Sequence, residues 1–165
     1  MDATEAFIHL VSKDGKSFPI PIDAAFMSEL VKCKVEEGCD EDIPEILLPN
    51  VSEYMLQKVI KFCKHYLQEP MNEIETPVRS SNMADLVQKW YADYVNLEKD
   101  LLFELINAAD YMGIKPLIDL ACATVASKIQ GKTTEEIIEY LNLVNDFTPE
   151  EEAQVREEYS WLYEA

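Results

Sequence analysis

The chain has 165 residues, 48% of them hydrophobic, with 32 Asp and Glu against 14 Lys and Arg and a formal net charge of −18. That length suits one compact domain with a modest extension, and it provides a core that needs no disulfide or metal staple. Such an acidic surface repels phosphate backbones and anionic lipid headgroups, which argues against nucleic acid or membrane as a direct partner.

The opening residues, MDATEAFIHL, lack a basic stretch followed by an apolar run, and no segment approaches the ~20 apolar residues of a membrane span. An intracellular, soluble protein is expected. Residues 7–22, FIHLVSKDGKSFPIPI, alternate apolar and other side chains about Asp14-Gly15, a pair suited to a tight turn, so they predict a two-stranded hairpin. Pro19 and Pro21 cannot donate to a ladder, which puts the second strand at an edge. Asp23 is expected to cap a short helix running through Val31.

Residues 36–45, EEGCDEDIPE, read as a solvated loop, and ILLPN after them as a brief buried strand stopped by Pro49. Over residues 51–67, Met55, Leu56, Val59, Ile60, Phe62, Cys63, Tyr66 and Leu67 recur every three or four positions. That spacing predicts an amphipathic helix, ended by Pro70. Residues 71–84, MNEIETPVRSSNMA, lack periodicity and are expected to form a mobile internal loop.

A helix is predicted over 86–95, and residues 101–112, LLFELINAADYM, are apolar nearly all round, as a central helix covered on most sides is. Gly113 closes that helix and Pro116 starts the next, which runs to about Ile129. Thr133 with Glu136, then Thr148 with Pro149 and Glu151, form capping-box patterns that mark two terminal helices.

Catalytic signatures are missing: GxGxxG, P-loop, HExxH, GxSxG and paired CxxC motifs do not occur in the sequence. His9 falls in the first strand and His65 on a helix, neither with a nucleophile or carboxylate placed near it by local spacing, so both read as structural. Cys33, Cys39, Cys63 and Cys122 are scattered, which suits reduced thiols rather than a disulfide framework. Cys63 and His65 have a metal-like spacing, but two residues apart on a helix they point to different faces. Glu150-Glu151-Glu152 would fan around a helix start, complementing its positive end rather than converging on a cation. No enzyme activity, cofactor or metal is expected.

The strongest functional signal is residues 131–165, GKTTEEIIEYLNLVNDFTPEEEAQVREEYSWLYEA. Ile137, Ile138, Leu141, Leu143, Val144, Phe147, Val155, Trp161, Leu162 and Tyr163 sit there among ten carboxylates, more apolar surface than two short helices bury. Such a tail stays soluble while presenting an apolar face to a partner.

At LLFELINAADYMGIKPLIDLACATVASKIQGKTTEEI and NDFTPEEEAQVREEYSW the chain closely resembles the S-phase kinase-associated protein family, the F-box-binding adaptors of SCF-type cullin–RING ubiquitin ligases. The hairpin around Asp14-Gly15, LLPNV, KVIKFCKHY and Trp90 agree with it, so the match spans nearly the whole chain. The resemblance implies an α+β BTB/POZ fold, a small sheet covered by helices, with two additional C-terminal helices. Residues 1–130 would be the cullin-binding BTB/POZ-like domain, and 131–165 a helical extension completing the F-box-binding surface. Elongin C, a BTB relative, resembles the first part but lacks that extension.

The implied function is a non-catalytic adaptor linking a cullin N-terminal domain to F-box proteins, in cytoplasm and nucleus. A BTB-type self-associating scaffold outside ubiquitin ligation is the alternative, and a weak homodimer is a further state to expect of the free protein. By the resemblance, the cullin contact falls on Asp110, Tyr111 and Lys115, where the family commonly has asparagine in place of Asp110. The F-box contact falls on Leu102, Phe103, Ile106, Val125, Ile129, Ile137, Ile138, Leu141, Val144, Phe147, Val155 and Trp161. Pro149 resembles a proline that some protist members hydroxylate and glycosylate, and is the candidate modification site.

Overall fold

The computed structural model describes residues 6–37 and 45–162. Alternation in strand β1 (Phe7–Ser12) turns Ile8, Leu10 and Ser12 inward. Strand β2 (Ser17–Pro21) returns antiparallel, with Ile8 opposite Ile20 and Leu10 opposite Phe18. Between them Gly15 takes φ 76°, a left-handed conformation that other residues adopt at a cost. Strand β3 (Ile46–Leu48) pairs parallel to β1, giving the order β2-β1-β3. The proline-bearing strand is therefore at an edge, as expected. The parallel third strand has no local signature, since its partner lies more than thirty residues earlier.

The helix expected to run from Asp23 through Val31 is instead two, α1 (Ile22–Ala25) and α2 (Glu29–Glu37). Asp23 does not cap: it sits in the first turn of α1, behind Pro21, and no side chain caps that helix. The break is explained by Ser28, whose Oγ accepts the Val31 N–H at 3.2 Å and donates to the Met112 carbonyl at 2.5 Å. One hydroxyl thus starts α2 and satisfies a carbonyl left open at a distant helix end. The acidic loop expected over 36–45 is helical at Glu36 and Glu37, and its residues 38–44 lie outside the described residues.

Helix α3 (Glu53–Gln68) is capped by Ser52, which accepts the Met55 N–H. It buries Met55, Leu56, Val59, Ile60, Phe62 and Cys63, whereas Leu67 is exposed. Residues 71–84 are irregular, yet Met71, Ile74 and Met83 pack against the core. The Gln88 side chain ties the segment down, accepting the Asn72 N–H and donating to the Pro70 carbonyl. A 3₁₀ turn (Met83–Asp85) precedes α4 (Lys89–Tyr94), which is shorter than the predicted 86–95. Then come α5 (Lys99–Met112), α6 (Lys115–Ile129), α7 (Thr134–Leu141) and α8 (Pro149–Glu158).

The chain divides into two compact units, Met1–Gln130 and Gly131–Ala165. The first has a core in which the Phe62 ring lies 5.8 Å from Tyr91 and 5.7 Å from Tyr94. The Tyr91 hydroxyl donates to the Glu69 carbonyl and the Tyr94 hydroxyl to the Lys58 carbonyl, so both buried rings keep a polar outlet. Burial pushes the Cys63 thiol up to about 12, which leaves it protonated and inert as a ligand. In the second unit, neither α7 nor α8 buries a single residue.

Candidate functional site

In the second unit both helices begin with a complete capping box. The Thr133 hydroxyl accepts the Glu136 N–H while the Glu136 carboxylate accepts the Thr133 N–H. Thr148 and Glu151 repeat this, with Pro149 in the first turn. These hydrogen bonds hold the Glu151 carboxyl below the usual carboxylate range. An i,i+4 pair, Arg156 to Glu152 at 2.8 Å, adds support on α8. Local hydrogen bonds thus fix where each of the two helices starts.

That local order leaves the apolar side chains in the open. Ile138, Phe147 and Val155 are exposed, Val144 is 87% exposed and Trp161 64%. Ile137 and Leu141, one turn apart on α7, are half-buried. Leu143 and Tyr159 are exposed as well and belong with them; Tyr159 is a large ring two residues from Trp161, a signal the helical spacing alone passes over. An aromatic pair with few rotors on an otherwise acidic segment is the kind of surface that anchors a protein interface.

On the first unit, α5 turns Leu102, Leu105, Ala108, Ala109 and Met112 inward. Leu102 itself is fully buried, on the i, i+3 stripe with Leu105 and Ala109. Phe103 and Ile106 are half-buried on the flank of that stripe, and Val125 and Ile129 are half-buried on α6.

Asp110, Tyr111 and Lys115 come together around the turn from α5 to α6. Gly113 takes φ 66° there, and a Cβ on it would meet the Glu29 side chain at 3.1 Å. The Glu29 N–H donates to the Gly113 carbonyl, so with Ser28 and Met112 this turn is fastened to the start of α2. Asp110 and Lys115 are exposed, and Tyr111 is half-buried against the core. The Cys122 thiol is raised, first by burial and then by the charges of Asp119 and Asp110, so the patch carries negative potential beside one lysine.

Two histidine neighbourhoods differ from what local spacing suggests. The Ser17 hydroxyl donates to Glu45 at 3.3 Å while His9 Nδ1 lies 3.2 Å from Ser17 Oγ. Here the carboxylate binds the serine instead of orienting the imidazole, and all three residues are exposed, so the arrangement lacks the relay a nucleophile needs. His65 Nε2 lies 3.6 Å from Glu69 Oε2, one turn along α3. Among the described residues no group of three His, Cys, Asp or Glu could hold a metal ion, and no helix is long and apolar enough to cross a membrane.

Comparison with known proteins gives matches along most of the chain. The tetramerisation domain of the Skp1 family matches residues 6–68, and the dimerisation domain of the Skp1 family matches residues 115–162. The S-phase kinase-associated protein 1 homolog of Tetrahymena thermophila is 41% identical over 100% of this chain and 99% of its own. The SCF ubiquitin ligase complex protein SKP1b of Dictyostelium discoideum is 41% identical over 94% of this chain and 95% of its own. The E3 ubiquitin ligase complex SCF subunit sconC of Emericella nidulans is 40% identical over 95% of this chain and 96% of its own.

Proposed function

The chain belongs to the Skp1 family, and on that premise we propose that it works as the adaptor of an SCF-type ubiquitin ligase. Its α+β first unit is the BTB/POZ fold of that family. The adaptor is a subunit among ubiquitin ligase components and performs no chemistry itself. It holds a cullin N-terminal domain and an F-box receptor in one geometry, so that a substrate on the receptor meets the ubiquitin-transferring machinery at high effective concentration.

The observation that carries this reading is the second unit, two well-capped helices with no buried residue and a set of exposed large apolar side chains. An F-box helix pair supplies the apolar surface that this set lacks. Ile137, Ile138, Leu141, Val144, Phe147, Val155 and Trp161 are its proposed contacts, with Leu143 and Tyr159 added. Phe103, Ile106, Val125 and Ile129 are proposed on the first unit. The cullin is proposed to sit on Asp110, Tyr111 and Lys115, with Tyr111 as the anchor. Asp110 adds a negative charge to that contact, which favours a cullin with a basic side chain opposite it. The protein is proposed to act in cytoplasm and nucleus, with Pro149 as a modification site at the start of α8. Intact-mass analysis from the native host tests the last point by an added oxygen or sugar.

Co-expression with F-box fragments and a cullin N-terminal domain from the same organism, followed by size-exclusion chromatography with mass determination, tests the assignment. A ternary complex with one copy of each is expected. A homodimer that ignores both partners would overturn it in favour of a self-associating scaffold.

A further inference from the structure

A groove of about 540 Å³ opens on the first unit between the edge strand β2, one face of α3 and Trp90 of α4. Its composition is anomalous for this chain. Although the protein carries 32 carboxylates, none lines the groove, while Lys61, Lys64 and His65 do. Its apolar wall is Phe18, Ile60 and Trp90.

The lysines of this helix face are not equivalent. Lys58 is used internally: its Nζ donates to the Tyr94 carbonyl at 3.4 Å and lies 4.6 Å from the Tyr94 ring centroid. Lys61 and Lys64 are exposed, and among the described residues neither is paired with a carboxylate. Lys61 Nζ is 5.9 Å from the Trp90 ring centroid, within reach of the ring's negative face. After burial, the Lys61 charge is what lowers the Lys58 pKa; the nearby carboxylate of Glu69 sits at His65 instead, 3.6 Å from its Nε2.

The aromatic wall is held in place before any ligand arrives. The His65 ring stacks on Trp90 at 3.6 Å with 14° between planes, and Tyr94 stacks on it at 5.1 Å and 13°. Along the other side, Pro19 and Pro21 leave the edge strand without two of its N–H groups, so a visitor cannot add a full strand ladder. Recognition must run through side chains.

We propose that this groove is a docking site for an acidic peptide segment of a partner protein, one with a large apolar side chain set between carboxylates. The apolar side chain seats against Phe18, Ile60 and Trp90, and the carboxylates reach Lys61 and Lys64. Charge complementarity selects this occupant: the groove is a carboxylate-free, cationic and aromatic concavity on a surface that is otherwise acidic. Two exposed lysines are too few to hold a nucleic acid against a net charge of −18.

The probe is a short synthetic peptide of Asp and Glu around one central phenylalanine, titrated into the isotope-labelled full chain and followed by amide and indole NMR shifts. Shifts confined to α3, β2 and the Trp90 indole are expected, with none from a matched peptide carrying Asn and Gln. The Lys61→Glu, Lys64→Glu double variant is expected to weaken binding about tenfold or more, as removal of opposed charges at an interface does. The Lys13→Glu, Lys34→Glu variant has the same net charge, with both substitutions at exposed positions outside the groove, and is expected to change binding by less than about twofold. Equal binding of the neutral peptide, equal losses in the two double variants, or shifts elsewhere on the chain would overturn the proposal. So would self-association of the free chain that the Lys61→Glu, Lys64→Glu substitution abolishes, since the groove would then belong to a second copy.

Discussion

Phe62 and Phe147 are the same side chain in opposite circumstances. Phe62 on α3 is fully buried among Tyr91 and Tyr94, while Phe147, just ahead of α8, is 57% exposed. The first unit is held by contacts between residues far apart in sequence, such as Ser28 with the Met112 carbonyl. The second is held by contacts three or four residues apart. Helices of that length are marginal by themselves, and most helix stability in proteins comes from packing a face. The comparison teaches that the second unit is shaped by local hydrogen bonds while its large apolar side chains stay exposed.

The largest break in this contrast is Phe62→Ala, expected to cost the first unit about 3–5 kcal/mol as large-to-small core changes do. Thermal denaturation followed by near-UV dichroism reads it. Trp161→Ala is the mirror experiment. Receptor binding is expected to weaken by about 2 kcal/mol or more, roughly thirtyfold in Kd, while the melting temperature stays where it was. A lowered melting temperature with intact binding would place Trp161 in the interior economy of the chain instead.

Thr148→Ala removes one capping hydroxyl and is expected to cost α8 about 1 kcal/mol. Amide exchange over residues 150–158 reports it as faster exchange, with α3 and α5 unaffected. The effects of pH run in opposite directions in the two units. The Glu151 carboxyl is lowered, so its capping contribution is present above the ordinary carboxylate range and lost as pH falls through the lowered value. Acid therefore loosens α8 first. Burial raises Cys63 and Tyr91 to about 12, so the first unit keeps their contribution below their ordinary values and loses it as pH climbs towards 12. Dichroism and exchange across both limbs of the titration separate the two units.

What was legible in the sequence follows the same division. Hairpin, capping boxes and the amphipathic period of α3 are local patterns, and each is found where the residues put it. The break between α1 and α2 was not legible, because the group that Ser28 satisfies belongs to Met112, 84 residues away. The parallel pairing of β3 was hidden for the same reason. On α5, period alone did not separate Leu102, fully buried, from Phe103 and Ile106, half-buried beside it. The groove beside Trp90 was out of reach altogether, since β2 and α4 contribute to it from segments about seventy residues apart.

The two capping boxes carry a kinetic consequence. Closing the first turn is the unfavourable step in making a helix, and adding turns afterwards is fast. In this chain that first turn is closed at Thr133 and again at Thr148 before any receptor arrives. On the proposed reading, a receptor meets templates instead of coil, and its capture is governed by diffusion and orientation rather than by waiting for a rare conformation. Fast capture of a receptor, on that adaptor reading, then rests on two threonines and two glutamates.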